Sequence, residues 1–152
     1  AAEAKNSIID QASSKIHYLE AGSRLHDASY TIDHIKFWGS PYTPYFYNWA
    51  FNFPERDRGS FARAHWDTIP EDTDVVVTHG PAYQILDQTA RGPEVGCVAL
   101  RDRLRVVKPK LHVCGHIHEA YGQKSVQDTH YVNASVLNLQ YVLANGPVSI
   151  TI

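Results

Sequence analysis

The chain has 152 residues, 43% hydrophobic and 20% charged, proportions that fit globular protein and exclude a disordered or fibrous one. Fourteen Lys and Arg against sixteen Asp and Glu leave a formal net charge of -2, so no diffuse basic surface is offered to bulk nucleic acid. No apolar run approaches the roughly 20 residues a bilayer needs, the opening AAEAKNSIID lacks a signal-peptide pattern, and Cys97 and Cys114 are too few for a disulfide framework, although one bridge stays open. The expectation is a protein of a reducing, cytoplasmic compartment with no membrane partner.

In chain order, residues 1–15 read as a lead-in or short helix without chemistry. From Lys15 the pattern turns strand-like, with Glu20-Ala21-Gly22-Ser23 as a hairpin turn between Ile16 and Tyr18 on one side and Leu25, Ala28 and Tyr30 on the other. Ile32 to Trp38 reads as a further strand, broken by Gly39-Ser40-Pro41. A loop dense in rings follows, holding Tyr42, Tyr45, Phe46, Tyr47, Trp49, Phe51 and Phe53. Phe61 to Ile69 has helical spacing, with Ser60 as N-cap and Pro70 as the stop.

Asp74 to Thr78 is a β-branched run of the kind that forms a buried strand, and it stops at His79-Gly80-Pro81. Beyond the polar loop containing Gly92-Pro93, Val95 to Val107 predicts an amphipathic helix closed by Lys108-Pro109. Lys110 to Gly115 predicts a second strand that also runs into histidine, Gly115-His116-Ile117-His118. Short strands are expected in Ser125 to Val136 and in Pro147 to Ile152. The absence of Met and the Ala-rich start suggest a partial chain.

Two strand-helix-strand units thus deliver histidines to equivalent strand ends, where open α/β sheets bind ligands. Any one of them alone would read as a hydrogen-bonded structural histidine. Three together suit a divalent metal, since His116 and His118 can share a cleft if the backbone turns there, and His79 can arrive from the neighbouring strand.

VVVTHGPA and KPKLHVCGHIHEAYG resemble the two C-terminal motifs of calcineurin-like metallophosphoesterases, and more closely those of the brain-type metallophosphoesterase-domain subfamily. FWGSPYTPYFYNWAFNFP resembles that subfamily's aromatic loop and YVNAS the strand after its second motif, so the resemblance runs from about Ile16 to about Val136. It implies an α/β fold, part of a two-sheet sandwich with flanking helices, of which residues 16–152 would be the C-terminal half.

The resemblance further implies two metal ions bridged by a water or hydroxide that attacks phosphorus. His79 and His116 would hold one metal and His118 the other, the metals being Mn, Zn or Fe. The family's D-x-H, G-D and G-N-H-E motifs have no counterpart, because no Gly here precedes Asp or Asn. Asp128-Thr129-His130 is read as a surface turn, and Asp33-His34 is likewise set aside. No catalytic residue is assigned within this chain.

The expectation is therefore part of a phosphoesterase acting on a phosphodiester such as a cyclic nucleotide, weak or inactive alone. The missing half would come from a second polypeptide, or copies would pair with each other through an apolar edge at the strand ending in His79. The alternative is a non-catalytic domain binding one metal or a partner, with three imidazoles able to hold one Zn.

Tyr45 and Trp49 are the expected solvent-facing rings, placed to stack on a planar substrate group, while packing accounts for the rest of that loop. His112 reads as a structural histidine, Cys114 as a buried apolar group, and Glu119 and Tyr121 either as groups orienting an imidazole or as solvated side chains. Asn133-Ala134-Ser135 fits a glycosylation acceptor but is discounted.

Overall fold

Parallel pairing of β-branched runs builds the centre of the molecule, a computed structural model that describes residues 29–54 and 59–152. The lead-in at 1–15 and the hairpin turn at Glu20 to Ser23 lie outside the described residues. Six strands form one sheet: β1 (Ser29–Ile32), β2 (Ile35–Ser40), β3 (Val75–Thr78), β4 (Leu111–Cys114), β5 (Gly122–Val126) and β6 (Thr129–Asn133), in the order β1-β2-β3-β4-β6-β5. β2, β3, β4 and β6 run parallel to their neighbours, and antiparallel β1 and β5 close the two edges. The fold class is α/β.

The strand expected from Ile32 to Trp38 is instead a hairpin. Asp33 and His34 form its two-residue turn with φ of 48° and 68°, both left-handed, the geometry whose twist matches that of two antiparallel strands. Asp128 lies in a comparable turn before β6, next to Gln127 at φ 53°. The segment Pro147 to Ile152 forms no strand. Its Val148 and Ile150 pack instead on Val75, Leu111 and Val132.

Helix α1 (Ser60–Trp66) starts from Gly59, which takes φ 87° at the cap in place of the expected Ser60, and tightens into a turn ending at Ile69. Helix α2 (Val98–Val107) begins three residues later than its hydrophobic spacing suggests. The cause is competition for backbone donors: Val95 and Cys97 N–H groups go to the carbonyls of Asp87 and Pro81, and Gly96 N–H goes to the Asp87 carboxylate.

Cross-strand register aligns Trp38, Val76, His112 and Tyr131 in one row. That row faces α1 and α2 and makes the main core with Ala62, Trp66, Leu100 and Leu104. Each fully buried Leu or Val there contributes roughly 1.5–3 kcal/mol. The opposite face, with Val75, Leu111 and Val132, has only a thin cover, and Val77 remains 37% exposed on it.

The strand ending at His79 is not an edge, contrary to expectation. β2 inserts beside β3 and uses its free backbone groups, so what the sheet leaves partly open is a face. No helix among the described residues is long and apolar enough to cross a membrane. Cys97 and Cys114 are both buried and free, so the bridge left open by the sequence is not formed.

Candidate functional site

β2, β3, β4 and β6 all end on the same side, at Ser40, Thr78, Cys114 and Asn133, and the loops that follow them converge there. Together they enclose a cleft of about 500 Å³ lined by Tyr45, Phe46 and Trp49 from the aromatic loop, by His79, by His116 and His118, and by Leu139 and Tyr141. All five residues singled out from the sequence therefore border one cavity. Tyr45 and Trp49 are about half exposed, but so are Phe46 and Phe51, and Tyr47 is more exposed still, so the aromatic loop presents more rings to solvent than the sequence reading selects.

His79 leaves β3 on a braced turn. The Thr78 hydroxyl donates to the Gly80 carbonyl at 2.7 Å, and its oxygen lies 2.9 Å from His112 Nε2. With the hydroxyl proton committed to Gly80, His112 Nε2 must be the donor to Thr78. His112 is 1% exposed, and burial pushes its pKa down to about 3, which makes it a neutral structural group. Gly80 also approaches Thr43 so closely that a Cβ would lie 2.8 Å from the Thr43 hydroxyl oxygen.

His116 occupies the centre of a tight turn. Ile117 N–H donates to the Gly115 carbonyl at 2.8 Å, and His116 takes φ 71°, a costly conformation for a residue with a Cβ. This turn is the backbone bend that lets His116 and His118 reach the same cleft. The rings of His79 and His116 lie 4.6 Å apart, and Phe46 and Trp49 meet His116 edge-on at 6.3 and 6.1 Å. Burial lowers the pKa of His79; burial, followed by the charges of His79 and His118, lowers that of His116. The His118 ring lies against Tyr141 at 5.3 Å, with its Nδ1 3.0 Å from the Asn138 carbonyl.

Known proteins similar in sequence point to one family. The chain is 43% identical over 128 residues to Metallophosphoesterase domain-containing protein 1 of Homo sapiens and to that of Mus musculus, a match covering 83% of this chain and 38% of each relative. A UPF0046 protein of Caenorhabditis elegans is 37% identical over 115 residues, covering 75% of this chain and 28% of its own length. These relatives support the metallophosphoesterase family. The chain spans well under half the length of those metallophosphoesterase relatives. No family model matches. A solved crystal structure aligns with 70% of this chain and 43% of its own at a TM-score of 0.50 and 15% identity, a likeness of fold.

Metallophosphoesterases use divalent metals, and the cleft meets part of that requirement. Two closely apposed imidazoles disposed to stay neutral are nitrogen donors suited to Zn, Mn or Fe. Yet no three His, Cys, Asp or Glu side chains gather closely enough among the described residues to hold an ion by themselves. The histidines of this chain therefore supply part of a donor set, with His118 Nδ1 engaged by the Asn138 carbonyl.

Four further side chains have defined places. Glu119 accepts a hydrogen bond from Ala90 N–H at 2.8 Å, and the Tyr121 hydroxyl donates to the Gly146 carbonyl at 2.9 Å, so both tie loops together and neither orients an imidazole. Cys114 is buried, its thiol pushed up to about 12 chiefly by burial. Asn133 is fully buried, its amide nitrogen donating to the carbonyls of Ile117 and Leu86, which makes it a clamp on the His116 turn and no glycan acceptor in the folded chain.

Sequence reasoning passed over two residues that shape the cleft. Asp87, 2% exposed, accepts from Gln84 and Gly96 N–H and closes the 84–96 loop. Asn138 organises the loop beside His118. Asn138 heads an Asx turn, its side-chain oxygen accepting from Gln140 N–H two residues on, a local pattern that sequence can signal, whereas the partners of Asp87 lie on both sides of it.

Proposed function

We propose that this chain forms part of a metal-dependent phosphoesterase that hydrolyses phosphodiesters, a cyclic nucleotide being one such substrate. The observation that carries the reading is the placement of His79, His116 and His118 around one cleft at the strand ends. In it, His79 and His116 hold one divalent metal and His118 contributes to a second. The remaining ligands come from outside this chain, from a second polypeptide or another copy. Bound there, divalent metals neutralise phosphoryl oxygens and lower the pKa of a water.

The chain's own residues favour a diester. No Lys or Arg lines the cleft among the described residues, so charge compensation for a phosphoryl group rests on the metals and the preference for a diester on the rings. A diester carries one negative charge and a second organic group, which Tyr45 and Trp49 can cover with their ring faces. Thr78 and His112 hold the His79 turn, and Asn133 holds the His116 turn, fixing the imidazoles before substrate arrives.

The test is hydrolysis of bis-(p-nitrophenyl) phosphate with added Mn, alongside a denaturing intact mass of the same sample. Turnover in a sample containing a second chain, lost in His116→Ala and in His118→Ala, supports the proposal. Turnover that survives both substitutions refutes it. A second reading, a non-catalytic domain binding a metal or a partner, draws on the incomplete donor set. It requires a lone 17.1 kDa species with no turnover.

A further inference from the structure

We infer that Asn138 is a positioning residue: its loop fixes the tautomer and direction of the His118 ring, leaving Nε2 as the free nitrogen for the cleft. The inference rests on the proposed role of His118 as a metal ligand. A carbonyl oxygen has no proton to give, so in the 3.0 Å contact with Asn138 the His118 Nδ1 must carry the hydrogen and donate it. In a neutral imidazole this leaves the lone pair on Nε2.

The loop is built around the same residue. The Asn138 side-chain oxygen accepts from Gln140 N–H at 2.9 Å and Val142 N–H at 3.1 Å. Its own N–H donates to the Val142 carbonyl, and its carbonyl accepts a second bond from Tyr141 N–H at 2.9 Å. Tyr141 is thereby held at φ 58°, where an aromatic side chain is strained, with its ring against His118.

Leu139, Tyr141, Val142 and Leu143 are all about half exposed or more. The loop's shape therefore comes from Asn138 hydrogen bonds more than from burial. Its loss should loosen the ring without unfolding the chain.

The experiment is long-range ¹H–¹⁵N NMR of the imidazoles of the 152-residue chain at pH 8, with Zn titrated in. The expected result is a protected Nδ1 proton on His118 and a Zn-dependent shift at its Nε2. Asn138→Ala should mix the tautomers and weaken the Zn response at least tenfold, in the range typical for groups that orient ligands. Asn138→Asp, whose carboxylate accepts the same two N–H groups, should restore both, with unfolding midpoints close to wild type throughout.

If Asn138→Ala keeps a single Nδ1–H tautomer and full Zn response, the inference is overturned while His118 stands as a ligand. If the tautomer follows Asn138 but Zn never reaches His118, the positioning role stands and the ligand reading falls. Should Asn138→Ala fail to fold, the wild-type spectrum decides, because an unprotonated Nδ1 overturns the inference by itself.

Discussion

Protonation of buried His112 sets a measurable acid limit on this fold. In the native state burial holds its pKa near 3, whereas in the unfolded chain it returns to about 6.5. The native group is therefore neutral where the unfolded one takes up a proton. Stability from this source is complete above pH 6.5 and declines as pH falls towards 3.

At pH 5 the loss is set by the 1.5 units between the unfolded pKa and the solution, about 2 kcal/mol. A unit of change in the native value hardly alters that figure, since the group is uncharged at pH 5 either way. His65, His79 and His116 also have lowered pKa values, so the comparison must isolate one residue.

His112→Gln keeps an amide nitrogen able to donate to Thr78 and removes the titration. Urea unfolding at pH 7.5 and 5 should show wild type losing about 2 kcal/mol more than the variant, close to 1 M in midpoint for a typical urea slope. Equal losses in both proteins would refute the reasoning. So would a His112 ring resonance that titrates between pH 5 and 8, a measurement that needs no variant.

Three further outcomes follow from the packing. Gly96→Ala should cost about 2–3 kcal/mol in chemical denaturation, because its Cβ would sit 2.6 Å from the Ala82 backbone, which cannot move aside without disturbing the loop. Asn133→Asp should cost at least about 3 kcal/mol by the same measurement; it replaces a donor with an oxygen facing the Ile117 and Leu86 carbonyls. In an active preparation, Trp49→Ala should raise the KM for bis-(p-nitrophenyl) phosphate roughly tenfold with kcat little changed, the size expected for one lost stacking contact; an unchanged KM would remove Trp49 from the substrate wall.

The chemistry was legible where it is local. Val75 to Thr78 must be a strand because β-branched residues suit a pleated buried surface, and it must end at His79-Gly80-Pro81 because proline lacks the next donor. The run before Gly115 does the same for β4, so the strand-end histidines could be named from spacing alone.

Long-range competition decided the rest. Helix α2 lost its first residues to Asp87 and Pro81, partners that no local periodicity reveals. β2 took the place beside β3 and turned an expected edge into an interior strand, since pairing partners are chosen by the whole sheet. The division of the three histidines into a close pair and a third held by Asn138 also depends on loops 20 or more residues apart in sequence meeting at one end of that sheet. Residue types and their spacing determined which side chains could do chemistry; only tertiary contacts, which fix backbone direction and hydrogen-bond partners together, decided how those side chains face one another.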